Sequence, residues 1–227
     1  MKIGLSKTES KFERYLKWLD TFKIDYEILD FDNHEDDLNK IDDCTGLILT
    51  GGVDIYPEIY CDWDTKETKG TYNSERDGFE LKLLEKSIEK KIPLLAICRG
   101  LQIVNVFFRG SLIFDLEEIR NVNHRKISNT EDRIHEVEIF NNTLLHEITG
   151  LNETLVTSSH HQAIDRLGEG LMINSKSLDG VIEGIEYADK SGKSFFIGIQ
   201  WHPERFLNFD EPASKNILRR FISESEN

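Results

Sequence analysis

Cysteine, proline and basic residues are all scarce in this chain. Its 227 residues include three cysteines, four prolines and two methionines. Cys44, Cys61 and Cys98 have neither the paired spacing of a metal site nor that of a disulfide framework, and a sparse, odd count suits a reducing compartment. Lys and Arg number 28 against 42 Asp and Glu, a net charge of −14. That balance argues against a general nucleic-acid or anionic-membrane binder, although a local basic pocket can exist on an acidic protein. No apolar run approaches the roughly 20 residues that span a bilayer. The first residues run at once into charge, which is not a signal peptide. A cytoplasmic protein is therefore expected. No repeat, low-complexity tract or composition shift marks a linker, so residues 1–227 are read as one domain, long enough for a large α/β core.

What is present is organised around residues 92–110. Leu94 to Ile97 form an apolar run of the kind buried on both faces of a sheet. Cys98-Arg99-Gly100 breaks it, and Leu101, Val104, Phe107 and Phe108 then repeat at helical spacing. Strand, tight turn and helix with a cysteine on the turn make a nucleophile elbow, with Ala96 and Gly100 as the small residues flanking the turn. The positive end of the helix and the Arg99 side chain would both favour a thiolate at Cys98. A structural cysteine at the end of a core strand fits the same residues, so the rest of the chain has to decide.

Residues 2–6 and 25–31 read as strands, with a helix between them that places Phe12, Tyr15, Leu16, Leu19 and Phe22 on one face. The acidic stretch 32–43 is a solvated loop or short helix, and residues 46–50 form a third, continuous apolar strand. Right-handed crossovers between these strands give a parallel sheet. The third strand runs into Gly51-Gly52, read as a plain turn or as half of an oxyanion hole, with the N–H at Gly52 as donor. Tyr56, Tyr60, Trp63 and Tyr72 belong to a loop over 55–73 that walls a cleft or simply packs on the surface. Residues 76–90 are helical, 111–116 a strand, and 121–133 a flexible lid or a long loop. Strands are expected at 135–140, 153–158, 171–175, 181–187 and 195–201, the last three partly antiparallel, with a short helix at 143–149 and a closing helix over 212–224.

The last of those strands ends in His202-Pro203-Glu204. A thiol nucleophile needs a base and the base needs an orienting partner. Pro203 restricts the direction of Glu204 relative to His202, and the carboxylate can hold the second imidazole proton. Alone, the tripeptide reads equally as a turn histidine beside an exposed glutamate. With the elbow cysteine and the strand-borne glycine pair it completes a Cys-His-Glu triad with an oxyanion hole.

On these pieces the sequence resembles the class I glutamine amidotransferase family, and within it the γ-glutamyl-γ-aminobutyrate hydrolase group of γ-glutamyl peptidases. The matching segments are Thr50 to Pro57 with Tyr60, Arg76-Asp77, Ile97 to Gln102 with Asn105, Ser159-His160-His161-Gln162, Asp179 to Glu183, and Gly198 to Glu204. The resemblance implies a flavodoxin-like α/β three-layer sandwich with a mostly parallel central sheet. It implies Cys98 as nucleophile, His202 as general base and acid, Glu204 as orienter, and N–H groups near Gly52 and Arg99 as oxyanion donors. It places Gln102, Ser159, His160 and His161 against the glutamyl part of a small γ-glutamyl amide, with no metal or organic cofactor and with no nucleic acid or membrane partner, and it leaves a homodimer open. Asp54 and Arg76 match family positions without a definite role. Ala96 stands where glycine is usual, Arg109-Gly110 replaces a glycine pair, and the shorter segment 116–135 changes the leaving-group side of the pocket. Three rival readings are a glutaminase that passes ammonia to a synthetase partner, a silent binding module of the same fold, and a metal site of His160, His161 and Cys61. The third is disfavoured because adjacent histidines at a strand end point to opposite faces.

Overall fold

The structure, a computed structural model, describes residues 1–61 and 70–226. Trp63 of the expected cleft-walling loop lies outside them. The elements in chain order are β1 (Ile3–Ser6), α1 (Phe12–Thr21), β2 (Tyr26–Leu29), α2 (His34–Lys40), β3 (Gly46–Leu49), α3 (Ser74–Glu89), β4 (Leu94–Ile97), α4 (Arg99–Phe107), β5 (Leu112–Ile113) and α5 (Leu116–Arg120). Then follow β6 (Arg133–Ile139), α6 (Leu144–Thr149), β7 (Glu153–Ser158), β8 (Ala163–Ile164), β9 (Leu171–Ser177), β10 (Ile182–Tyr187), β11 (Phe196–Ile199) and α7 (Pro212–Ser225).

Nine of the strands form one mixed sheet in the order β2-β1-β3-β4-β11-β10-β9-β6-β7. The first five are mutually parallel, and every pairing from β11 onward is antiparallel. Alternation along the strands divides the core in two. Leu47, Leu49, Leu94 and Ala96 face Leu83, Leu84, Leu101 and Val104 of α3 and α4. Ile48, Leu95 and Ile97 face Trp18 and Leu19 of α1 and Ile217, Leu218 and Phe221 of α7. The result is helix, sheet, helix, with the apolar strand runs buried on both faces as their composition demands.

Two expected strands are shorter than their apolar stretches because an aspartate stops each one. Asp30 accepts a hydrogen bond from the Asp32 N–H at 3.0 Å and starts a 3₁₀ turn, so β2 ends at Leu29. Asp115 accepts from the N–H groups of Glu117 and Glu118 at 2.9 and 3.1 Å. That cap nucleates α5 and leaves only Leu112–Ile113 of the expected 111–116 strand, paired with the short β8.

The ends of β3, β4 and β11 lie side by side because Leu49 pairs with Ala96 and Ile97 with Ile199. The turn after β4 is tight. Cys98 has φ 54° and ψ −105°, a positive-φ conformation that a side chain adopts only under constraint, at a cost of about 1–3 kcal/mol. It is pinned by Cys98 N–H donating to Ile199 O at 2.7 Å and by Gln102 N–H donating to Cys98 O at 3.2 Å. Two residues on, a Cβ at Gly100 would stand 2.4 Å from the backbone oxygen of Leu49. Gly78, inside α3, would meet nothing within 4 Å. Gly100→Ala should therefore lower stability by about 1–3 kcal/mol, several degrees in Tm. Gly78→Ala should raise it by up to about 1 kcal/mol. Thermal unfolding of the two variants beside the parent chain checks both signs.

Candidate active site

Three chain segments converge on a small cleft at the ends of β3, β4 and β11. It has a volume of about 130 Å³ and is lined by residues that include Gly51, Gly52, Cys98, Arg99 and His202. Gln102, Ser159, His160 and His161 contribute to its lining as well, although the His160 ring turns into the protein, and Glu204 stands behind His202. Gly51 shows how close the opposing groups are: a Cβ there would lie 2.9 Å from His202 Cε1 and 3.6 Å from Cys98 Cβ.

His202 is held from three sides. Its N–H donates to Thr157 O at 3.2 Å, its carbonyl accepts from Thr157 Oγ1 at 2.9 Å, and its Nδ1 donates to Glu204 Oε1 at 2.8 Å. A carboxylate only accepts, so Nδ1 carries the proton and Nε2 keeps its lone pair. The Glu204 oxygen also accepts from Arg205 Nε at 3.1 Å. Arg205 in turn donates to Asp132 at 3.2 Å, as does Arg14. Trp18 and Pro203 share Ser214, whose Oγ accepts from Trp18 Nε1 at 3.0 Å and donates to Pro203 O at 2.9 Å, fixing the His-Pro-Glu turn onto α1 and α7.

The protonation states follow from burial. Cys98 is pushed up to about 12 by burial, against the Arg205 cation and the Arg99 N–H, which lower it. His202 is lowered by burial and by Arg205, which together outweigh Glu204. Burial thus favours the neutral form of each group, which leaves the sulfur to the base for its activation. The Arg99 N–H lowers the thiol pKa, as a helix start does, but burial outweighs it. The Arg99 side chain, expected as a cation beside the sulfur, is instead buried and bound to the carboxylates of Asp77 and Glu80 of α3. The cation that acts on the sulfur is Arg205.

The glycine turn is built from below. Arg76 donates to Thr50 O at 3.2 Å, to Gly51 O at 2.9 Å and to Glu9 Oε2 at 2.7 Å. A Cβ on Gly52 would stand 1.9 Å from Arg76 Nη1, so this position requires glycine. The Gly51 N–H is committed to Tyr15 Oη at 2.8 Å. Gly52 lines the cleft instead, as does Arg99 at the first position of α4. Next to them, Gln200 Nε2 donates to Cys98 Sγ at 3.4 Å, and Gln102 Nε2 donates to Gln200 Oε1 at 3.1 Å and to Gln162 O at 3.0 Å.

His160 and His161 diverge. His161 Nε2 lies 2.7 Å from Asp54 Oδ1 and its Nδ1 3.3 Å from Asp115, whereas His160 turns into the protein toward His124 and Glu183. Cys61 donates to Pro57 O at 3.0 Å. These three residues therefore do not converge on one ion. Sequence reasoning missed Tyr15, Arg205, Gln200 and Lys126. Gln200 was detectable as a polar residue closing an apolar strand. Tyr15 sits on the helix face that was read as core, and its hydroxyl gives no sequence signal.

Comparison with known proteins places the chain in a family. The family model described as Peptidase C26 matches residues 27–204. Protein NtpR of Enterococcus hirae is 40% identical over 188 residues, 81% of this chain and 76% of that protein. The gamma-glutamyl-gamma-aminobutyrate hydrolase PuuD of Escherichia coli is 31% identical over 189 residues, 80% of this chain and 70% of that protein. A glutamine amidotransferase from Thermotoga maritima has the same fold, with a TM-score of 0.62 at 17% identity, covering 100% of this chain and 84% of its own. The chain belongs to the Peptidase C26 family of glutamine amidotransferase-like hydrolases.

With its pKa raised by burial, Cys98 should show alkylation by iodoacetamide that keeps accelerating up to about pH 11. An ordinary thiol, half-ionised at about 8.5, levels off by about pH 10. Mass spectrometry of the Cys98 peptide across pH measures this, and a plateau reached near pH 7 would show a preformed thiolate.

Proposed function

We propose that this Peptidase C26 protein hydrolyses the amide bond of a small γ-glutamyl compound, releasing glutamate and an amine. The observation that carries the reading is Cys98 on its constrained elbow, sharing the space over Gly51 with a His202 whose Nδ1–H is held by Glu204. His202 Nε2 takes the Cys98 proton as the sulfur attacks the γ-carbonyl. The N–H groups at Gly52 and Arg99 receive the oxyanion. Collapse breaks the C–N bond, and the amine leaves with the proton from His202. Water, deprotonated by the same imidazole, then cleaves the γ-glutamyl thioester and returns the proton to the sulfur.

The cleft offers cations to a carboxylate: Lys11, Lys126 and Arg205 line it, together with Asp54, on a chain whose net charge is −14. A γ-glutamyl group carries a free α-carboxylate that such cations attract. Gln102 and Ser159 supply neutral polar groups on the same wall, with His161 anchored to Asp54 beside them.

Glutamate release from a panel of γ-glutamyl amides, with free glutamine included, tests the reading. Cleavage of the amides with glutamine a poor substrate is expected. Turnover of glutamine alone, or only in the presence of a synthetase, would replace it with an ammonia-delivering subunit. Cys98→Ala should lose about 10⁴-fold or more in kcat, and Glu204→Gln should lose less than His202→Ala. The acid limb of kcat/KM should lie below the ordinary histidine value of about 6.5, since a lowered pKa keeps His202 in its base form into mild acid. A limb above pH 7 would contradict a neutral resting imidazole.

A further inference from the structure

Behind the cleft wall lies a second cluster that the proposed hydrolysis does not use. His124 comes from the segment between α5 and β6, His135 from β6, His160 from just past β7, and Glu183 from β10. His124 Nδ1, His135 Nε2 and His160 Nε2 lie 3.2, 3.4 and 3.4 Å from Glu183 Oε1. His124 Nδ1 and His160 Nε2 are 3.2 Å apart. Glu183 is fully buried, yet among the described residues neither of its oxygens has an aligned hydrogen-bond donor, and neither ring nitrogen of His135 has a partner.

The outer nitrogens decide what the inner ones offer. His124 Nε2 lies 2.9 Å from the Asp179 carboxylate and His160 Nδ1 lies 2.9 Å from Gln162 O, both acceptors, so both outer nitrogens carry protons. In their neutral forms the facing nitrogens of His124 and His160 then present lone pairs to each other and to Glu183. Such a group needs a cation among its atoms, either an added proton or a metal. The spacings favour a metal: His124, His135 and Glu183 each offer a ligand atom within 4.8 Å of the others, and Glu183 Oε1 lies 3.2 Å from His124 Nδ1 and 3.4 Å from His135 Nε2, close to the roughly 3.3–3.4 Å between two donors on a tetrahedral zinc. The carboxylate–histidine and carbonyl–histidine pairs are the outer contacts that orient imidazole ligands.

We propose that His124, His135 and Glu183 bind one divalent transition metal of the zinc class, with His160 Nε2 beside them at 3.4 Å from Glu183. Imidazoles with a carboxylate suit that class, and the burial of Glu183 behind the cleft wall makes the site structural. The metal would tie the 121–132 segment, which contributes Lys126 to the cleft, to the sheet. It would also fix His160, whose partner Gln162 O accepts from Gln102 at 3.0 Å.

The test uses the full chain carrying Cys98→Ser, so that the Cys98–His202 pair does not compete for metal. After chelation the protein is titrated with Zn²⁺ and with Co²⁺. One equivalent per chain, a tetrahedral Co²⁺ visible spectrum and a Tm rise of about 5–10 °C at saturating metal are expected. His135→Gln should abolish stoichiometric binding. Asp179→Asn, at the partly exposed outer position, should weaken it about 10–100-fold while the chain stays folded. Substoichiometric binding with Tm unmoved by metal or chelator would overturn the proposal. So would full affinity retained in both variants.

Discussion

Glu80 holds two buried arginines at once. One oxygen accepts from Arg76 Nε and Nη2 at 3.0 and 2.9 Å, and the other accepts from Arg99. Arg76 carries the carbonyls of the glycine turn after β3, and Arg99 is the first residue of the helix that follows Cys98. A single carboxylate on α3 therefore fixes the distance between the two backbone segments that face the cleft. Removing it would leave Arg76 to Glu9 and Arg99 to Asp77, two separate pairs with no shared carboxylate to hold the segments together. The same contact keeps the Arg99 side chain out of the cleft and leaves its N–H there.

The sheet supplies the rest of the convergence. Gly52, Cys98 and His202 are far apart in the chain, but β3, β4 and β11 are parallel neighbours whose carboxyl ends meet at one edge. Open α/β sheets bind their ligands at that edge. The antiparallel half has a different part. Strands β10, β9, β6 and β7 extend the sheet and bring Glu183, His135 and His160 together behind the cleft wall. Nucleophile chemistry and the histidine cluster thus sit on opposite halves of one sheet, joined through Gln102 and Gln162.

The parts legible in sequence were those whose signal is local. Short apolar runs located β3 and β4 to within a residue, β11 is three residues shorter than the expected 195–201, and the Cys98 turn was readable because strand, small residues and helix are contiguous. The charge at Arg99 was misread because its partners, Asp77 and Glu80, lie about 20 positions away on another helix, where no periodicity points to them. Residues 121–133 looked like a lid or loop because they are polar and irregular. They are irregular, but His124 is buried and Asp132 anchors Arg14 and Arg205. Polar side chains satisfied by long-range partners look the same in a sequence as solvated ones.

The central claim is that Cys98 becomes a γ-glutamyl thioester. The most direct measurement is intact and peptide mass spectrometry of the protein quenched in acid during turnover of a γ-glutamyl anilide. The account predicts a glutamyl increment on the Cys98 peptide that appears before steady state and is absent from Cys98→Ala. Glutamate release with Cys98 unlabelled at every time point, or a label on another residue, would contradict it.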